Sequence, residues 1–206
     1  SQISNLKSEL AGFIFEPLVQ GAGGMLMYEA KYLDELLQHC QKENILTIAD
    51  EVMTGFGRTG KLFASDYLQQ QPDLMCFSKG LTGGTMALGV TSCTQKIQKA
   101  FLSDDKLKTL FHGHSFTANP VACSAALASM DLIEKPETMQ NIARIGEQHA
   151  RFMQTIKEHP KLKDIRQTGT ILALEWKTSE GTSYFNLLRD NLYNYFLQQK
   201  VILRPL

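Results

Sequence analysis

The sequence predicts an α/β fold, in which a sheet containing parallel strands is covered by helices. Short apolar segments alternate along the chain with segments whose apolar residues have the spacing of amphipathic helices. The apolar segments are hydrophobic on both faces, which is typical of strands buried between layers of helices. The alternation of strand and helix supports the same fold class.

The first part of the chain contains most of the predicted sheet. The predicted strands are residues 11–17, 45–51, 74–79 and 87–93, and the predicted helices are residues 29–44, 95–102 and 117–134. In the last of these helices Thr117 or Asn119 suits the N-cap, and Pro120 suits the first turn.

A smaller α/β layer is predicted after Pro136, which interrupts the helical pattern. Helices are expected at 138–159 and 183–200, and strands at 168–176 and 201–205. The sequence therefore divides into a part of a large domain, residues 1–134, and a small C-terminal domain, residues 135–206.

The composition favours a small-molecule ligand. Of the 206 residues, 43% are hydrophobic and 20% are charged, and the 21 basic residues balance the 21 acidic ones. No Lys/Arg block suggests a nucleic-acid or membrane-surface partner. Because the cysteines form no C-x-x-C pair and no run approaches the ~18 apolar residues of a membrane span, we expect a reduced, cytoplasmic protein.

The stretch "ADEVMTGFGRTG" contains a G-x-G-x-x-G pattern at Gly55, Gly57 and Gly60. A dinucleotide site needs its first glycine at the end of the strand and a helix immediately afterwards. Here Glu51 to Thr54 intervene, no helix is evident at Gly60, and acidic residues precede the loop. The pattern therefore favours a glycine-rich surface turn, or glycines that let the backbone pass close to another ligand.

Asp50 and Lys79 stand at the ends of successive predicted strands. One α/β unit would bring both to the edge of the sheet where ligands bind in α/β proteins. Taken singly, Asp50 is better explained by a cap or loop hydrogen bond, and Lys79 by an exposed loop position. Together they match the needs of pyridoxal phosphate: an amine forms a Schiff base with the aldehyde, and a carboxylate keeps the pyridine nitrogen protonated.

Several motifs resemble those of the class III (fold-type I) aminotransferases and occur in the same order along the chain. They are Glu16-Pro17, "QGAGGM" at 20–25, "ADEVMTGFGRTG" at 49–60, "SKGLTGG" at 78–84 and "HGHSFTANPVAC" at 112–123. The resemblance implies the fold of the fold-type I PLP-dependent transferases, with pyridoxal 5′-phosphate as the cofactor. No metal-ligand spacing competes with this interpretation.

The resemblance also implies roles for residues around the cofactor. Lys79 would be the Schiff-base lysine and Asp50 the partner of the pyridine nitrogen, while Glu16 would position cofactor or substrate groups. Ser115 matches the residue whose hydroxyl reaches the cofactor phosphate of the neighbouring subunit in a homodimer. The family commonly has Pro where His114 stands, which puts the local turn in question.

Substrate recognition is implied for three further residues. Arg204 matches an arginine that binds the carboxylate of the oxo acid, since a planar guanidinium can bind both oxygens. Arg58 matches a substrate-side arginine, although an exposed turn arginine explains it equally well, and Gly113 lies in the "HGHSF" motif. The motifs "KGLTGGTMAL" and "QGAGGMLMY" imply S-adenosylmethionine as donor and 8-amino-7-oxononanoate as acceptor, in biotin biosynthesis.

The resemblance covers only the second half of family members. The chain is therefore expected to lack the N-terminal part of the large domain and the last stretch of the small one, and to be inactive alone. Three alternatives stay open: another class III ω-amino acid or diamine aminotransferase, a noncatalytic fragment, and a nicotinamide-dependent enzyme, which would need the glycines to open a helix.

Overall fold

The computed structural model of the protein describes residues 9–178 and 187–203. The strands of its first part are β1 (Gly12–Phe15), β2 (Val19–Gln20), β3 (Leu26–Met27), β4 (Leu46–Asp50), β5 (Leu74–Phe77) and β6 (Val90–Cys93). Strands β1, β4, β5 and β6 form a four-stranded sheet in that order. The first three run parallel and β6 pairs antiparallel with β5, so the predicted sheet with parallel strands is confirmed.

Helix α1 (Ala30–Lys42) covers one face of this sheet. Leu33, Leu37 and Cys40 recur at helical spacing and are buried. The two leucines join Phe15 and Ala49 in one hydrophobic cluster, and burying each leucine contributes about 1.5–3 kcal/mol. The helix therefore fixes the β1–β4 pair from one side.

The connection from β4 to β5 differs from the predicted α/β unit. Residues 51–73 contain turns and a short 3-10 helix, Ala64–Tyr67, but no α-helix. Glycines and polar residues dominate this stretch, and they favour turns over a helical segment. The parallel pairing of β4 and β5 is nevertheless as predicted.

Three helices follow the sheet: α2 (Gln95–Lys99), α3 (Pro120–Ile133) and α4 (Pro136–Ile156). Asn119 is the N-cap of α3, since its Oδ1 accepts the N–H groups of Val121 at 3.0 Å and Ala122 at 3.2 Å. The predicted interruption of the helical pattern is present, since α3 ends at Ile133, and Pro136 is the first residue of α4, where its missing N–H costs nothing.

The C-terminal region contains a β-hairpin and one more helix. Strands β7 (Leu162–Thr168) and β8 (Ile171–Trp176) pair antiparallel, and α5 spans Leu187–Gln198. The sequence predicted β8 but missed β7. The predicted final strand is wrong for residues 201–203, which form no regular element, and its remainder lies outside the described residues.

The glycine-rich loop packs against α4 and against the turn between β7 and β8. A Cβ on Gly57, whose φ is +86°, would lie 2.3 Å from Ile142 Cδ1 in α4. A Cβ on Gly169, in the β7–β8 turn, would lie 2.2 Å from the carbonyl carbon of Thr59. Backbone packing therefore requires glycine at position 169, whereas at position 57 the positive φ and the Ile142 side chain favour glycine. The predicted boundary between residues 134 and 135 stays a prediction.

Two further features of residues 9–178 and 187–203 bear on function. No helix among them is long and apolar enough to span a membrane. The same residues contain no group of at least 3 His, Cys, Asp or Glu side chains that could hold a metal ion.

Candidate active site

The carboxyl ends of three parallel strands meet at one edge of the sheet. Phe15, the last residue of β1, pairs with Ala49 of β4, and Asp50, the last residue of β4, pairs with Cys76 of β5. Glu16 follows β1 directly at this edge. Ligands of open α/β sheets bind beyond such carboxyl ends.

Asp50 projects from the sheet face opposite to α1. Side chains alternate along a strand, and Ala49 packs towards α1, so Asp50 lies on the other face. Its side chain is half-buried, and its Oδ1 accepts the N–H of Val52 at 3.0 Å. The loop hydrogen bond considered for Asp50 is therefore present, and it fixes the orientation of the carboxylate.

The neighbouring acid, Glu51, has a structural role that sequence reasoning missed. It is 0% exposed, and its carboxylate accepts hydrogen bonds from the Thr54 hydroxyl at 2.6 Å and from the N–H groups of Ala64 at 3.1 Å and Ser65 at 2.7 Å. These donors offset the desolvation of a buried carboxylate. The alternation along β4, with Thr47 and Ala49 buried, was the signal that Glu51 points inwards.

Lys79 lies beyond β5 in an unusual backbone conformation. It does not end the strand as predicted, because β5 ends at Phe77 and Lys79 opens the 3-10 helix Lys79–Thr82. Its φ is 45°, which is uncommon for a residue other than glycine and concentrates at functional sites. Its side chain is exposed in the described residues.

Neighbouring residues hold the Lys79 turn on both sides. The Ser129 hydroxyl of α3 donates to the Gly80 carbonyl at 3.0 Å, and the Ser78 hydroxyl donates to the Leu88 carbonyl at 2.7 Å. Gly80 lies against Phe56, because an added Cβ would come within 2.8 Å of the Phe56 Cβ. The strained turn is thus fixed by α3 and by the β4–β5 connection.

Aromatic rings join the same connection to β5. The rings of Phe63 and Phe77 lie 4.9 Å apart, and the ring of Phe56 lies 5.6 Å from that of Phe63 and 6.1 Å from that of Phe77. Such pairs are favourable beyond their buried area. The glycine-rich loop and the Lys79 turn are therefore parts of one packed unit.

Glu16 is held by the loop that follows it. Its Oε2 accepts the N–H of Gly21, and its carbonyl accepts the hydroxyl of Tyr28. Burial, together with the nearby Glu16 charge, raises the pKa of Tyr28 to about 12. The backbone and the carboxylate of Glu16 are thus both fixed at the sheet edge.

Arg58 is exposed, and its backbone forms hydrogen bonds with a distant turn. Its carbonyl accepts the N–H of Thr170 at 2.9 Å and the Thr170 hydroxyl at 3.1 Å. The structure thus connects the Arg58 backbone to the β7–β8 turn. A substrate contact by its guanidinium stays a prediction.

The "HGHSF" turn, which contains Gly113 and Ser115, is exposed in the described residues. The N–H of His114 donates to the Thr117 hydroxyl at 2.8 Å, and its Nδ1 accepts the N–H of Phe116 at 3.1 Å. His114 therefore closes the turn with bonds that a proline could not fully reproduce, since proline has no N–H.

The structure brings together only part of the predicted site. Glu16, Asp50 and the Lys79 turn gather at one sheet edge, and Arg58 belongs to the loop packed beside it. Arg204 lies outside the described residues. The chemistry of the gathered groups fits an aldehyde-bearing pyridine cofactor, because an accessible amine and a carboxylate occupy adjacent strand ends.

Comparison with known proteins places this arrangement in a family. The sequence profile of the family described as "Aminotransferase class-III" matches residues 1–205. An adenosylmethionine-8-amino-7-oxononanoate aminotransferase of Synechococcus elongatus is 41% identical over 96% of this chain, and one of Geobacter sulfurreducens is 43% identical over 84% of it. These alignments span 46% and 39% of the two relatives, so the chain covers less than half of their length.

Solved structures agree with the sequence comparison. The adenosylmethionine-8-amino-7-oxononanoate aminotransferase of Methanocaldococcus jannaschii superposes with a TM-score of 0.91 at 32% identity, over 98% of this chain and 48% of that one. An (S)-enantioselective omega-transaminase of Thermomicrobium roseum superposes with a TM-score of 0.90 at 31% identity, over 100% of this chain and 46% of that one. The fold is that of the fold-type I transaminases, and the family implies pyridoxal phosphate as cofactor. On the strength of its sequence profile and its fold, the chain belongs to the class III aminotransferases.

Proposed function

We propose that the natural protein carrying this chain is a PLP-dependent aminotransferase that uses S-adenosylmethionine to convert 8-amino-7-oxononanoate into 7,8-diaminononanoate, a step of biotin biosynthesis. The observation that carries the proposal is the placement of Asp50 and the Lys79 turn at the ends of adjacent parallel strands. The names of the relatives at 41% and 43% identity support the choice of substrates.

Lys79 and Asp50 would hold the cofactor and handle protons. When bound, pyridoxal phosphate supplies an electron sink for the carbanion formed at the substrate carbon that bears the amine. Lys79 would hold the cofactor at its aldehyde carbon, and its Nζ would move a proton at the substrate carbon that bears the amine. The Asp50 carboxylate would keep a proton on the pyridine nitrogen, and the hydrogen bond that it accepts from the Val52 N–H fixes its orientation.

Substrate contacts are proposed for residues around this centre. Arg204 would bind the carboxylate of the acceptor in a bidentate manner. Arg58, whose backbone is fixed to Thr170, and Gly113, in the exposed turn, would line the substrate side. Glu16 would orient cofactor or substrate groups from the end of β1.

A homodimer with shared active sites is part of the proposal. Ser115 would donate a hydrogen bond to the cofactor phosphate of the partner subunit, since its hydroxyl is an exposed donor. The surrounding segment exposes large apolar side chains, as a partner surface would require. They include Phe101 (42%), Leu102 (66%), Leu107 (83%), Leu110 (61%), Phe111 (80%) and Phe116 (71%).

Complementation tests the shared site. If inactive Lys79→Ala and weakened Ser115→Ala subunits are mixed, each heterodimer should contain one site with both lesions and one site with neither. Activity should therefore reappear on mixing. A fully active, cofactor-loaded monomer would rule out the shared site.

We also propose that the large domain ends at residue 134, that the small domain begins at residue 135, and that the protein is located in the cytoplasm.

A second candidate is a different class III amine transaminase, because the Thermomicrobium roseum omega-transaminase has a TM-score of 0.90, close to that of the first candidate's relative at 0.91. The fold therefore does not select the amino donor. Residues that contact the donor decide this specificity.

A donor screen with the natural full-length protein tests the proposed function. Turnover is measured with S-adenosylmethionine, lysine, ornithine and β-alanine as donors, each with 8-amino-7-oxononanoate and with ordinary 2-oxo acids as acceptors, and the Lys79→Ala variant is the control. We expect S-adenosylmethionine to support turnover of 8-amino-7-oxononanoate by the wild type, and we expect no turnover by Lys79→Ala. Turnover only between ω-amines and ordinary 2-oxo acids would replace the first candidate with the second.

A further inference from the structure

Arg166 of β7 reaches across the molecule to the loop after β2. Its Nε donates to the carbonyl of Met25 at 3.2 Å, and its Nη2 donates to the carbonyl of Gly24 at 3.1 Å. Its Nη1 is bound on the other side by the carboxylates of Glu175, at 2.7 Å, and Asp164. One guanidinium thus connects the hairpin to a loop far away in sequence.

The surroundings of Arg166 favour a fixed contact over a fluctuating surface pair. The side chains of Arg166 and Glu175 are each only 16% exposed. The planar guanidinium can donate in several fixed directions at once, whereas a lysine ammonium is a single point of charge. The two carboxylates therefore hold the guanidinium in place while its remaining N–H groups bind the loop carbonyls.

The loop that Arg166 binds leads directly to the candidate active site. Met25 has a φ of 55°, which is uncommon for a residue other than glycine, so contacts with the rest of the molecule are expected to hold this part of the loop. At the other end of the loop the N–H of Gly21 donates to the carboxylate of Glu16. The loop thus lies between Arg166 and Glu16, the acid that follows β1.

We propose that Arg166 is a positioning residue for the active site: it holds the loop at residues 20–25 and, through Gly21, the carboxylate of Glu16 at the sheet edge. The catalytic consequence rests on the proposed aminotransferase function. The positional consequence does not, because it concerns only contacts within this chain. Changes in the C-terminal hairpin would thereby alter the geometry at the carboxyl end of β1, where Glu16 lies.

Hydrogen–deuterium exchange in the natural full-length holoenzyme tests the positional step. The Arg166→Gln variant should exchange roughly tenfold faster than the wild type in a peptide covering residues 17–28, because the loop loses its anchor. A peptide covering residues 33–40 of α1 should not change. Lys163→Gln is the matched control, since Lys163 also binds Glu175, at 2.6 Å, but its side chain is 63% exposed.

A second variant distinguishes loss of the contact between Arg166 and the loop from general unfolding of the protein. Arg166→Lys keeps a cation between the carboxylates but cannot reproduce the fork to Gly24 and Met25, so loop exchange should rise to a level between those of the wild type and Arg166→Gln. Unchanged loop exchange in this folded variant would overturn the proposal.

Turnover decides the catalytic step separately. Arg166→Gln should lower kcat roughly tenfold while Lys163→Gln leaves it unchanged, since small displacements of active-site groups have large effects on rate. A looser loop with normal kcat would overturn the positioning role in the reaction. An inactive wild type would instead refute the proposed function, and the exchange data would still decide whether Arg166 holds the loop.

Discussion

Asp50 lies directly opposite Cys76 in the parallel ladder between β4 and β5. This register carries the chain of β5 past Phe77 to Lys79 at the same edge where the Asp50 carboxylate emerges. A shift of the register by a single residue would turn Asp50 towards α1 and Glu51 away from its buried donors. The relationship between the two strands therefore creates both the candidate active site and the buried Glu51 network.

The first prediction concerns the turn that carries Lys79. Gly80→Ala should displace this turn, because the new Cβ would come within 2.8 Å of the Phe56 Cβ. We expect a lower cofactor content and a kcat reduced roughly tenfold or more in the natural protein. Gly89→Ala is the control, since the nearest atom to its Cβ, the Phe77 carbonyl oxygen, is 3.8 Å away. An equal loss of cofactor content and of kcat in both variants would contradict the proposed packing of Gly80 against Phe56.

The second prediction concerns the buried Glu51 carboxylate. Glu51→Gln places an amide NH₂ among the donors Thr54, Ala64 and Ser65, so at least one buried donor loses its acceptor. We expect the free energy of unfolding to fall by about 2–4 kcal/mol in urea denaturation. Asp66→Asn makes the same chemical change at an exposed acid, which binds the Phe63 N–H at 2.9 Å, and should cost less than about 1 kcal/mol.

Packing of the glycine-rich loop against α4 gives the third prediction. Gly57→Ala adds a Cβ 2.3 Å from Ile142 Cδ1 at a φ of +86°, so the Ile142 side chain must move, and the free energy of unfolding should fall by about 1–3 kcal/mol. Gly84→Ala has a similar φ of +79° but nothing within 4 Å, so only the backbone cost of about 1 kcal/mol is expected. Denaturation midpoints compare the two variants. A Gly57→Ala variant no less stable than Gly84→Ala would show that the contact with α4 is unimportant.

The fourth prediction follows from the raised pKa of Tyr28, about 12 against an ordinary 10.0. The folded state holds this proton more tightly than the unfolded state, so the contribution to stability is complete below pH 10.0 and is lost as the pH rises towards about 12. In an absorbance titration of the phenols, Tyr28→Phe should remove a late-ionising group. Tyr32→Phe is the control, because Tyr32 is 57% exposed. Loss of an early-ionising group in Tyr28→Phe would contradict the assignment.

Local patterns in the sequence predicted most of the central sheet. Strand β4 was placed within one residue at each end, because its apolar residues and the following turn signals agree. Helix α1 followed from the regular spacing of Leu33, Leu37 and Cys40. Strand β7 was missed because "LKDIRQT" is mostly polar, and its stability comes from pairing with β8.

Features that depend on tertiary packing were not predictable. The positive φ of Lys79 occurs beside the contacts of Gly80 with Phe56 and Ser129, and residue type does not reveal it. The packing of Gly169 on Thr59 joins regions far apart in sequence. The placement of Asp50 and Lys79 at one edge of the sheet could nevertheless be predicted from the apolar strands that carry them, because parallel strands end at one edge.

The most direct test of the account is to locate the covalently bound cofactor in the natural full-length protein. The holoenzyme is reduced with borohydride, digested, and examined by mass spectrometry for a phosphopyridoxyl group. We predict the group on the peptide containing Lys79, with the label absent from Lys79→Ala and present in the control variant Lys61→Ala. A label on another lysine, or no label in a fully active wild type, would contradict the assignment of Lys79 and the active site built around it.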